Sequence, residues 1–320
     1  MTALPGRPKM RGTGLLSPAV VAAETQNLRA AVATMKAGNL PVTAVGATEL
    51  RALLKAEAAR PAVARHRFGA VSRFLDWCHD EGAITINPCL AIGKARRPRP
   101  PKARTHHLGI ADLARLWHAA GSAAEDARVS AFGPLHRDLA RFLMAVPARR
   151  NEAATLDWSH LDLQAGAWTM PGKLTKNGDP HRLPLPGIAL EILRTRHAAA
   201  DNPATGLVFP SPKAAKAVAS WSDMKAALDQ AADLTGWRWH DFRRSFVTAL
   251  AEAGVAEAVA DAMLNHRQAA TRGGVLGVYQ QARRRPEQEA AMRRWDELLT
   301  AAITGRPPRE AVVIPMGTRA

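Results

Sequence analysis

A proline-broken, strongly basic stretch divides this chain of 320 residues into two parts. Residues 93–107 read GKARRPRPPKARTHH, and no acidic residue occurs between Glu81 and Asp112. Because proline lacks the amide hydrogen that a helix or an inner strand needs, no long regular element is expected to run through this stretch. A chain of this length is also expected to form more than one domain. The sequence therefore predicts two domains that are joined by a basic linker at residues 93–107.

The part before the linker is predicted to be a small all-α bundle. Its clearest helix runs from Ala62 to His79, because apolar residues recur there at helical spacing. An earlier helix is predicted to begin at Ser17-Pro18, where serine suits the cap and proline the first helical position. A short helix opens near Thr48. We place this domain at residues 18–92, after a flexible arm at residues 1–17.

The part after the linker is predicted to combine many helices with a small antiparallel sheet. Residues 167–170 and 181–185 alternate like strands, and Asn177-Gly178 between them is a turn signal. Helices are predicted at residues 112–119, 134–145, 151–161, 187–199, 221–234, 240–253, 256–264 and 288–303. The whole chain is therefore expected to be mainly α with a small sheet. We place the second domain at residues 108–304, followed by a disordered tail at 305–320.

The charge balance favours a polyanionic partner. The chain has 44 Lys and Arg residues against 28 Asp and Glu, a formal net charge of +16. Such a balance suits nucleic acid or an acidic membrane surface. No apolar run is long enough to span a bilayer, and no helix carries basic residues along a whole face. Cys78 and Cys89 are too few for a disulfide framework or a zinc cluster. Nucleic acid is therefore the expected partner, and no membrane association is expected.

Two pairs of chemically active residues stand three positions apart in predicted helices. Arg149 and Glu152 form the first pair, and His240 and Arg243 form the second. Residues at this spacing lie on one face of a helix. Taken alone, each pair is also explained as ordinary surface charge. Their order along the chain, together with the residues described next, is more specific than either pair alone.

Three further residues complete an ordered pattern along the second domain. Lys176 precedes the Asn-Gly turn, His266 follows Leu-Asn, and Tyr279 is the single tyrosine of the chain. With the two helical pairs, this order resembles the tyrosine recombinase, or phage integrase, family. The segments ARRNEAATLDWSHLDL, LTKNGDPHRLPL, HDFRRSFVTALAEAGV and FLDWCHDEGAITINP agree with it, over roughly residues 40–300. Asn265 stands where the family commonly has glycine.

The resemblance implies that Tyr279 attacks a DNA phosphodiester. The product would be a 3′-phosphotyrosyl bond and a free 5′-hydroxyl. Only about one phenol in a thousand is ionised at pH 7, so the nucleophile needs a base or a strong positive field. Arg149 and Arg243 would hold the non-bridging oxygens, because guanidinium donors match the geometry of a phosphate.

The remaining residues of the pattern are expected to move protons and orient groups. Lys176 is the expected acid that protonates the leaving 5′-oxygen, and Lys173 is the alternative. His240 would assist proton movement at the tyrosine, and His266 would donate to a phosphate oxygen. Glu152 would orient an arginine or a histidine. No metal and no cofactor are expected to take part.

A further set of basic residues is expected to contact the DNA backbone. For the basic residues of the linker, the alternative is that the segment is simply solvated. A linker can be solvated and still lie across a phosphate backbone. The residues are Arg65, Arg73, Lys94, Arg96, Arg97, Arg99, Lys102, Arg104, Arg150 and Arg244.

The resemblance implies a site-specific recombinase that integrates or excises a mobile element. The alternatives are a catalytically silent DNA-binding protein of the same fold and an enzyme like a type IB topoisomerase. The expected assembly is a homotetramer on a double-stranded recombination site, formed from monomers or weak dimers, with an accessory bending or directionality factor as an option. The expected location is the cytoplasm of a prokaryote, at the nucleoid. The apolar stripe of the helix at 288–303 suits either its own core or a neighbouring protomer.

Overall fold

The computed structural model describes Leu16 and residues 18–100, 104–126, 132–175, 178–211, 216–265 and 284–307. Contacts within the chain cluster into two compact units, Met1–Arg104 and Thr105–Ala320. The division falls inside the predicted linker, while the predicted bounds of the domains stay a prediction. Leu16 apart, the predicted arm lies outside the described residues, and so does the predicted tail beyond residue 307.

The described part of the first unit has three α-helices. They are α1 (Pro18–Thr34), α2 (Ala47–Ala56) and α3 (Pro61–Asp80). Helices α1 and α3 begin at a proline, which suits the first helical turn because its amide needs no partner there. Helix α1 packs along α3, and their apolar faces form the core with α2. The buried side chains at its centre include Leu28, Leu50, Leu53, Val71 and Leu75.

The second unit combines helices with a three-stranded antiparallel sheet. The helices within its described residues are α4 (Ile110–Glu125), α5 (Pro134–Ala145), α6 (Arg150–Ala154), α7 (Gly187–Ala199), α8 (Trp221–Ala232), α9 (Asp241–Glu252), α10 (Glu257–Met263) and α11 (Arg285–Thr304). The strands are β1 (Leu161–Asp162), β2 (Ala167–Met170) and β3 (His181–Pro184), in the order β1-β2-β3. Met170 pairs with His181 at one end of the β2–β3 ladder. The predicted fold class, mainly α with a small antiparallel sheet, is confirmed.

Helix α5 lies at the centre of the second unit. Its Phe142 has no exposed surface and contacts aromatic rings from two other elements. The ring centroids of Trp168 on β2 and of Phe209 lie 5.9 Å and 5.6 Å away. Such offset and tilted aromatic pairs add to the apolar burial that holds a core together. The sheet is thereby fixed against the helices that carry the site described below.

Helix α11 packs its apolar stripe into the core of the same unit. Met292, Trp295 and Leu299 are all buried, and the indole nitrogen of Trp295 donates to the carbonyl of Ala145 at 2.8 Å. The carboxylate of Asp296 accepts from two amides at the start of α7. Of the two alternatives for this stripe, these contacts favour packing within its own domain.

The predicted helix at residues 151–161 is wrong beyond its first turn. Helix α6 ends at Ala154, and β1 begins at Leu161. Between them the chain bonds to a distant loop, since the carbonyl of Leu156 accepts from the amide of Val208 at 2.9 Å. This long-range bond replaces the helical partner, and apolar spacing within the segment does not reveal it.

Candidate active site

Arg149 is oriented by Glu152. Arg149 directly precedes α6, with an extended backbone, and Glu152 lies in the first turn of that helix. One carboxylate oxygen of Glu152 accepts from the Arg149 amide at 2.7 Å. The other accepts from the guanidinium at 2.6 Å. Charge-assisted bonds of this kind hold a side chain more firmly than neutral ones do. Because about 30% of the Arg149 side chain stays exposed, its guanidinium remains accessible to a ligand.

Arg243 is buried and anchored by backbone carbonyls. It lies in the first turn of α9 and is only 3% exposed. Its guanidinium donates to the carbonyl of Pro147 and, at 2.9 Å, to that of Leu264. A guanidinium has five N–H donors, so these two bonds leave donors over. Its Nε finds no hydrogen-bond partner among the described residues. The group is therefore held in position with binding capacity left for a ligand.

Arg149 lies close enough to Arg243 to disfavour the charge of the Arg243 guanidinium. Burial and then the nearby Arg149 lower the pKa of Arg243 to about 10, while Glu152 acts in the opposite direction. Two neighbouring positive charges with one carboxylate leave a local excess of positive charge. Perturbed groups of this kind are typical of functional sites. An anion bound between the two arginines would relieve the repulsion, and a phosphate matches their donors in geometry.

His240 lies at the start of α9, one turn before Arg243, and reaches the surface. Partial burial of its ring, followed by the charges of Arg243 and Arg244, lowers the pKa of His240, and Asp241 opposes this shift. An imidazole whose pKa lies below its usual range near 6.5 is neutral at pH 7. Its ring therefore has a nitrogen that accepts a proton at physiological pH.

His181 joins the same group of charges, although the sequence reasoning treated it only as part of a strand. Its Nε2 lies 3.0 Å from the carbonyl of Met263, at the end of α10. Burial lowers the pKa of His181, and the charges of Arg243 and Arg149 lower it further. The bond to the Met263 carbonyl and the charge of Glu152 act against this shift. The sequence signal was weak: a histidine at the first position of a predicted strand.

The C-terminal end of α10 is held at the site by two adjacent backbone carbonyls, which contact His181 and Arg243. His181 contacts the carbonyl of Met263, and Arg243 donates to that of Leu264. Asn265 then adopts a positive φ of 51°. This left-handed conformation favours glycine and tolerates asparagine better than most residues. Asparagine therefore fits a position where the family commonly has glycine.

The end of the predicted linker and the residue that follows it dock on the start of α9, a second contact that sequence reasoning missed. The Nδ1 of His106 lies 3.2 Å from a carboxylate oxygen of Asp241, which is buried. The amide of Leu108 donates to the hydroxyl of Ser245 at 2.9 Å. The same hydroxyl donates to the Asp241 carbonyl. These bonds fix the helix turn that carries Arg243.

The structure brings four predicted site residues together, namely Arg149, Glu152, His240 and Arg243. The predicted Lys176, His266, Tyr279 and Lys102 lie outside the described residues. Lys173, the alternative acid, is exposed in a short 3-10 helix at Gly172–Leu174. The catalytic roles of all these residues stay predictions.

Two of the predicted backbone-contacting arginines already have protein partners. The guanidinium of Arg73 pairs with the carboxylate of Glu24, with its Nε at 3.0 Å from one oxygen. Arg97 donates from Nε to the carbonyl of Ile92 at 2.8 Å and from a terminal nitrogen to that of Cys89 at 3.0 Å. Arg97 thereby holds the end of the first unit together. A DNA contact by either residue would compete with these bonds.

The other described members of the set differ in exposure. Arg150 is exposed, and its guanidinium lies over the ring of Trp221, 5.3 Å from the centroid. Arg104 and Arg244 are partly buried. Those that are exposed in the first unit are Arg65, Lys94, Arg96 and Arg99.

Within the described ranges, no three His, Cys, Asp or Glu side chains are grouped in a way that would hold a metal ion. No helix in this part of the chain has the length and apolar character needed to cross a membrane.

Comparison with known proteins identifies relatives of this chain. Residues 111–274 match the model of the phage integrase family. The prophage integrase IntZ of Escherichia coli K12 is 23% identical over 269 residues, which are 84% of this chain. The chain spans 63% of the length of that relative.

Solved structures share the fold at low sequence identity. A lambda integrase (75–356) dimer bound to a COC′ core site has a TM-score of 0.59 at 18% identity, over 79% of this chain and 89% of that one. The Tn1549 transposon integrase in complex with circular intermediate DNA has a TM-score of 0.58 at 12% identity, over 80% and 89%. Because the family match covers half of its length, this chain belongs to the phage integrase family.

Proposed function

We propose that this protein is a site-specific DNA recombinase that cuts and rejoins strands through a 3′-phosphotyrosyl intermediate. The observation that carries the proposal is a pair of anchored guanidiniums: Glu152 holds Arg149, backbone carbonyls hold Arg243, and the charge of Arg149 is near enough to lower the pKa of Arg243. Burial and the repulsion from Arg149 disfavour the charge of Arg243, and a ligand with concentrated negative charge would offset both effects. The scissile phosphate of DNA is such a ligand.

In the cleavage step, the phenol oxygen of Tyr279 attacks the phosphorus and forms a new ester bond. The bond from phosphorus to the 5′-oxygen breaks, and the phenol proton passes to a base, for which neutral His240 is our candidate. Arg149 and Arg243 stabilise the charge on the non-bridging oxygens. Stabilisation of this kind at a phosphoryl transition state is worth roughly 10³–10⁵ in rate.

The leaving 5′-oxygen needs a proton, because an alkoxide is a poor leaving group in water. Lys176 is our candidate donor, and Lys173 is the alternative. His266 is proposed to donate to a phosphate oxygen. In the rejoining step a 5′-hydroxyl attacks the phosphorus and gives its proton to the lysine, the bond from phosphorus to the tyrosine oxygen breaks, and the tyrosine takes a proton back from His240. The phosphate ester is conserved throughout, so the cycle needs no cofactor.

We infer that the partner is a double-stranded recombination site and that protomers assemble on it as a homotetramer. A lambda integrase has been solved as a tetramer bound to a Holliday junction, with a TM-score of 0.59 over 86% of this chain and 74% of that one. The first unit and the linker would contact the DNA backbone through their exposed cations. Integration or excision of a mobile element, in the compartment that holds the chromosome, is the process that we propose; an accessory bending or directionality factor stays an option.

A suicide substrate tests the proposal. Duplexes that tile the DNA flanking the gene, each nicked just past a candidate cleavage position, lose the short 5′-hydroxyl fragment after cleavage and trap the covalent adduct. We expect an adduct with the wild-type protein and none with Tyr279→Phe. The matched control is Arg149→Ala, which we expect to bind DNA and form adduct far more slowly.

Three results would contradict the proposal. Sequence-specific DNA binding with no adduct on any duplex would indicate a catalytically silent protein. Relaxation of supercoiled plasmid without exchange of strands between duplexes would indicate a topoisomerase. An adduct that persists in Tyr279→Phe would exclude the tyrosine as nucleophile.

A further inference from the structure

A cleft of about 360 Å³ opens beside Arg243 and His240, and the proposed reaction leaves most of it unused. We call it the Trp221 cleft. Besides those two residues, its functional lining consists of Arg150, Trp221, Ser222, Lys225 and Arg238. No acidic side chain is among its lining residues. The cleft therefore presents positive charge from several elements of the second unit.

Two guanidiniums of the Trp221 cleft, those of Arg150 and Arg238, have no carboxylate partner among the residues that the structure describes. Neither Arg150 nor Arg238 forms an ion pair with any residue in the described ranges. Lys225 differs, because its ammonium pairs with Asp229 at 2.5 Å and lies 4.6 Å from the ring centroid of Trp237. The two guanidiniums are thus the groups with charge available for an anion.

The aromatic side of the Trp221 cleft is rigid. The indole nitrogen of Trp239 donates to the carbonyl of Trp221 at 3.3 Å, and the two rings meet edge to face at 5.3 Å. Arg150 lies over the other side chain of this pair, Trp221. Stacking on a ring limits the conformations of a guanidinium, so less entropy is lost when it binds a ligand.

The start of α8 adds to the preference for an anion. Ser222 is the second residue of α8 and lines the Trp221 cleft. Amides in a first helical turn have no acceptor within the helix, and the helix dipole is positive at this end. This helix end alone would not make a site. Its partial positive charge has the same sign as the guanidiniums of Arg150 and Arg238, which form no ion pair within the described ranges.

We propose that the Trp221 cleft binds one backbone phosphate of the cleaved strand, next to the scissile phosphate. The inference rests on the proposed function, since Arg243 and His240 line the cleft and also belong to the proposed reaction centre. A strand whose scissile phosphate lies at Arg243 must continue past it, and the adjoining concave surface is cationic. Arg150 and Arg238 would donate to the phosphate. The part of the Trp221 cleft that is lined by Trp221 would pack against the sugar. Backbone contacts of this kind fix the register of the DNA without reading its sequence.

The test combines substitutions in the protein with neutral phosphates in the DNA. Methylphosphonate replaces one phosphate at a time around the cleavage position of an intact duplex, and equilibrium binding is measured for each duplex with Tyr279→Phe added to every protein, so that no covalent adduct forms. The proteins are the wild type and the double variant Arg150→Ala/Arg238→Ala. The matched control is Arg194→Ala, which removes one exposed guanidinium of α7 that does not line the cleft. A single variant, Arg238→Ala, serves if the double variant proves unstable in thermal unfolding.

We expect one methylphosphonate beside the scissile position to weaken wild-type binding about tenfold and to have little effect on the double variant. The Arg194→Ala control should respond to each methylphosphonate as the wild type does. The slope of log affinity against log salt should become shallower by about one for each phosphate that the variant no longer neutralises.

Two results would overturn the inference. One is that every methylphosphonate weakens wild type and double variant by the same factor. The other is that the double variant loses sensitivity to all phosphates equally, as general screening of charge would cause. Because binding is measured without cleavage, failure of the inference is distinguishable from failure of the proposed function. The latter appears as a wild-type protein that binds but forms no adduct.

Discussion

Arg243→Lys separates the shape of the guanidinium from its charge. Arg243 is 3% exposed, and it donates to the carbonyls of Pro147 and Leu264 from two different nitrogens. Lysine keeps the positive charge but has a single nitrogen, which cannot take both places of the fork. At least one buried carbonyl then loses its partner, at a cost of about 1–3 kcal/mol. For a unit of this size, that cost lowers the melting temperature by roughly 2–12 °C.

The effect on the reaction is expected to be larger for alanine than for lysine. Losing one charge-assisted hydrogen bond to the phosphate, worth about 1.5–3 kcal/mol, slows cleavage by about 10- to 100-fold in Arg243→Lys. Arg243→Ala removes the charge as well, so we expect about 10³–10⁵. The order of rates is therefore wild type, then lysine, then alanine.

The assay is single-turnover formation of the covalent adduct at saturating DNA, with thermal unfolding of each protein in parallel. Saturation removes any change in affinity from the measured rate. Arg194→Lys, an exposed position on α7, is the control for a general arginine-to-lysine effect. A wild-type rate in Arg243→Lys would refute the role of the fork. A wild-type rate in Arg243→Ala would refute a catalytic role altogether.

Three more predictions follow from the site. Glu152→Gln should slow adduct formation by about tenfold at unchanged DNA affinity, because it weakens the bonds that orient Arg149; tighter binding without a slower step would argue against an orienting role. Lys176→Ala should cleave slowly but recover with a 5′-thiol leaving group that needs no proton, and recovery by Lys173→Ala instead would transfer the role to that residue. Since burial lowers the pKa of His181, the unfolded chain takes up a proton below about pH 6.5 that the folded chain resists, so the free energy of unfolding should fall as the pH drops through that range. Urea titrations at pH 7.5 and 5.5 should show a smaller fall for His181→Gln than for the wild type; an equal fall would assign the effect to other groups.

The helical parts of the fold are predictable because their signals are local. The apolar spacing from Ala62 to His79 predicts α3, which the structure has at Pro61–Asp80. The same reasoning extended a helix to residue 161, where the structure has a turn after α6, a 3-10 helix at Trp158–His160 and then strand β1. The deciding contact there joins Leu156 to Val208, and spacing within a segment carries no information about such a bond.

In the candidate site, too, the residues with a local signal were predictable and those brought in by long-range contacts were not. The pairs Arg149–Glu152 and His240–Arg243 follow from a spacing of three residues. The contact of His181 with Met263 bridges 82 positions. The contact of His106, near the end of the linker, with Asp241 bridges 135 positions. Nothing at either end of these contacts marks them in a single sequence. Likewise, the charge of Arg97 alone predicted a DNA contact. Its hydrogen bonds to the carbonyls of Ile92 and Cys89 are visible only in the folded chain.

The most direct test of the account locates the covalent bond itself. The trapped adduct is digested with nuclease and protease, and mass spectrometry identifies the peptide that carries residual nucleotide and the residue to which it is attached. We expect a 3′-linked nucleotide on Tyr279 and on no other residue. A nucleotide on a serine, or one attached through its 5′ end, would contradict the central claim.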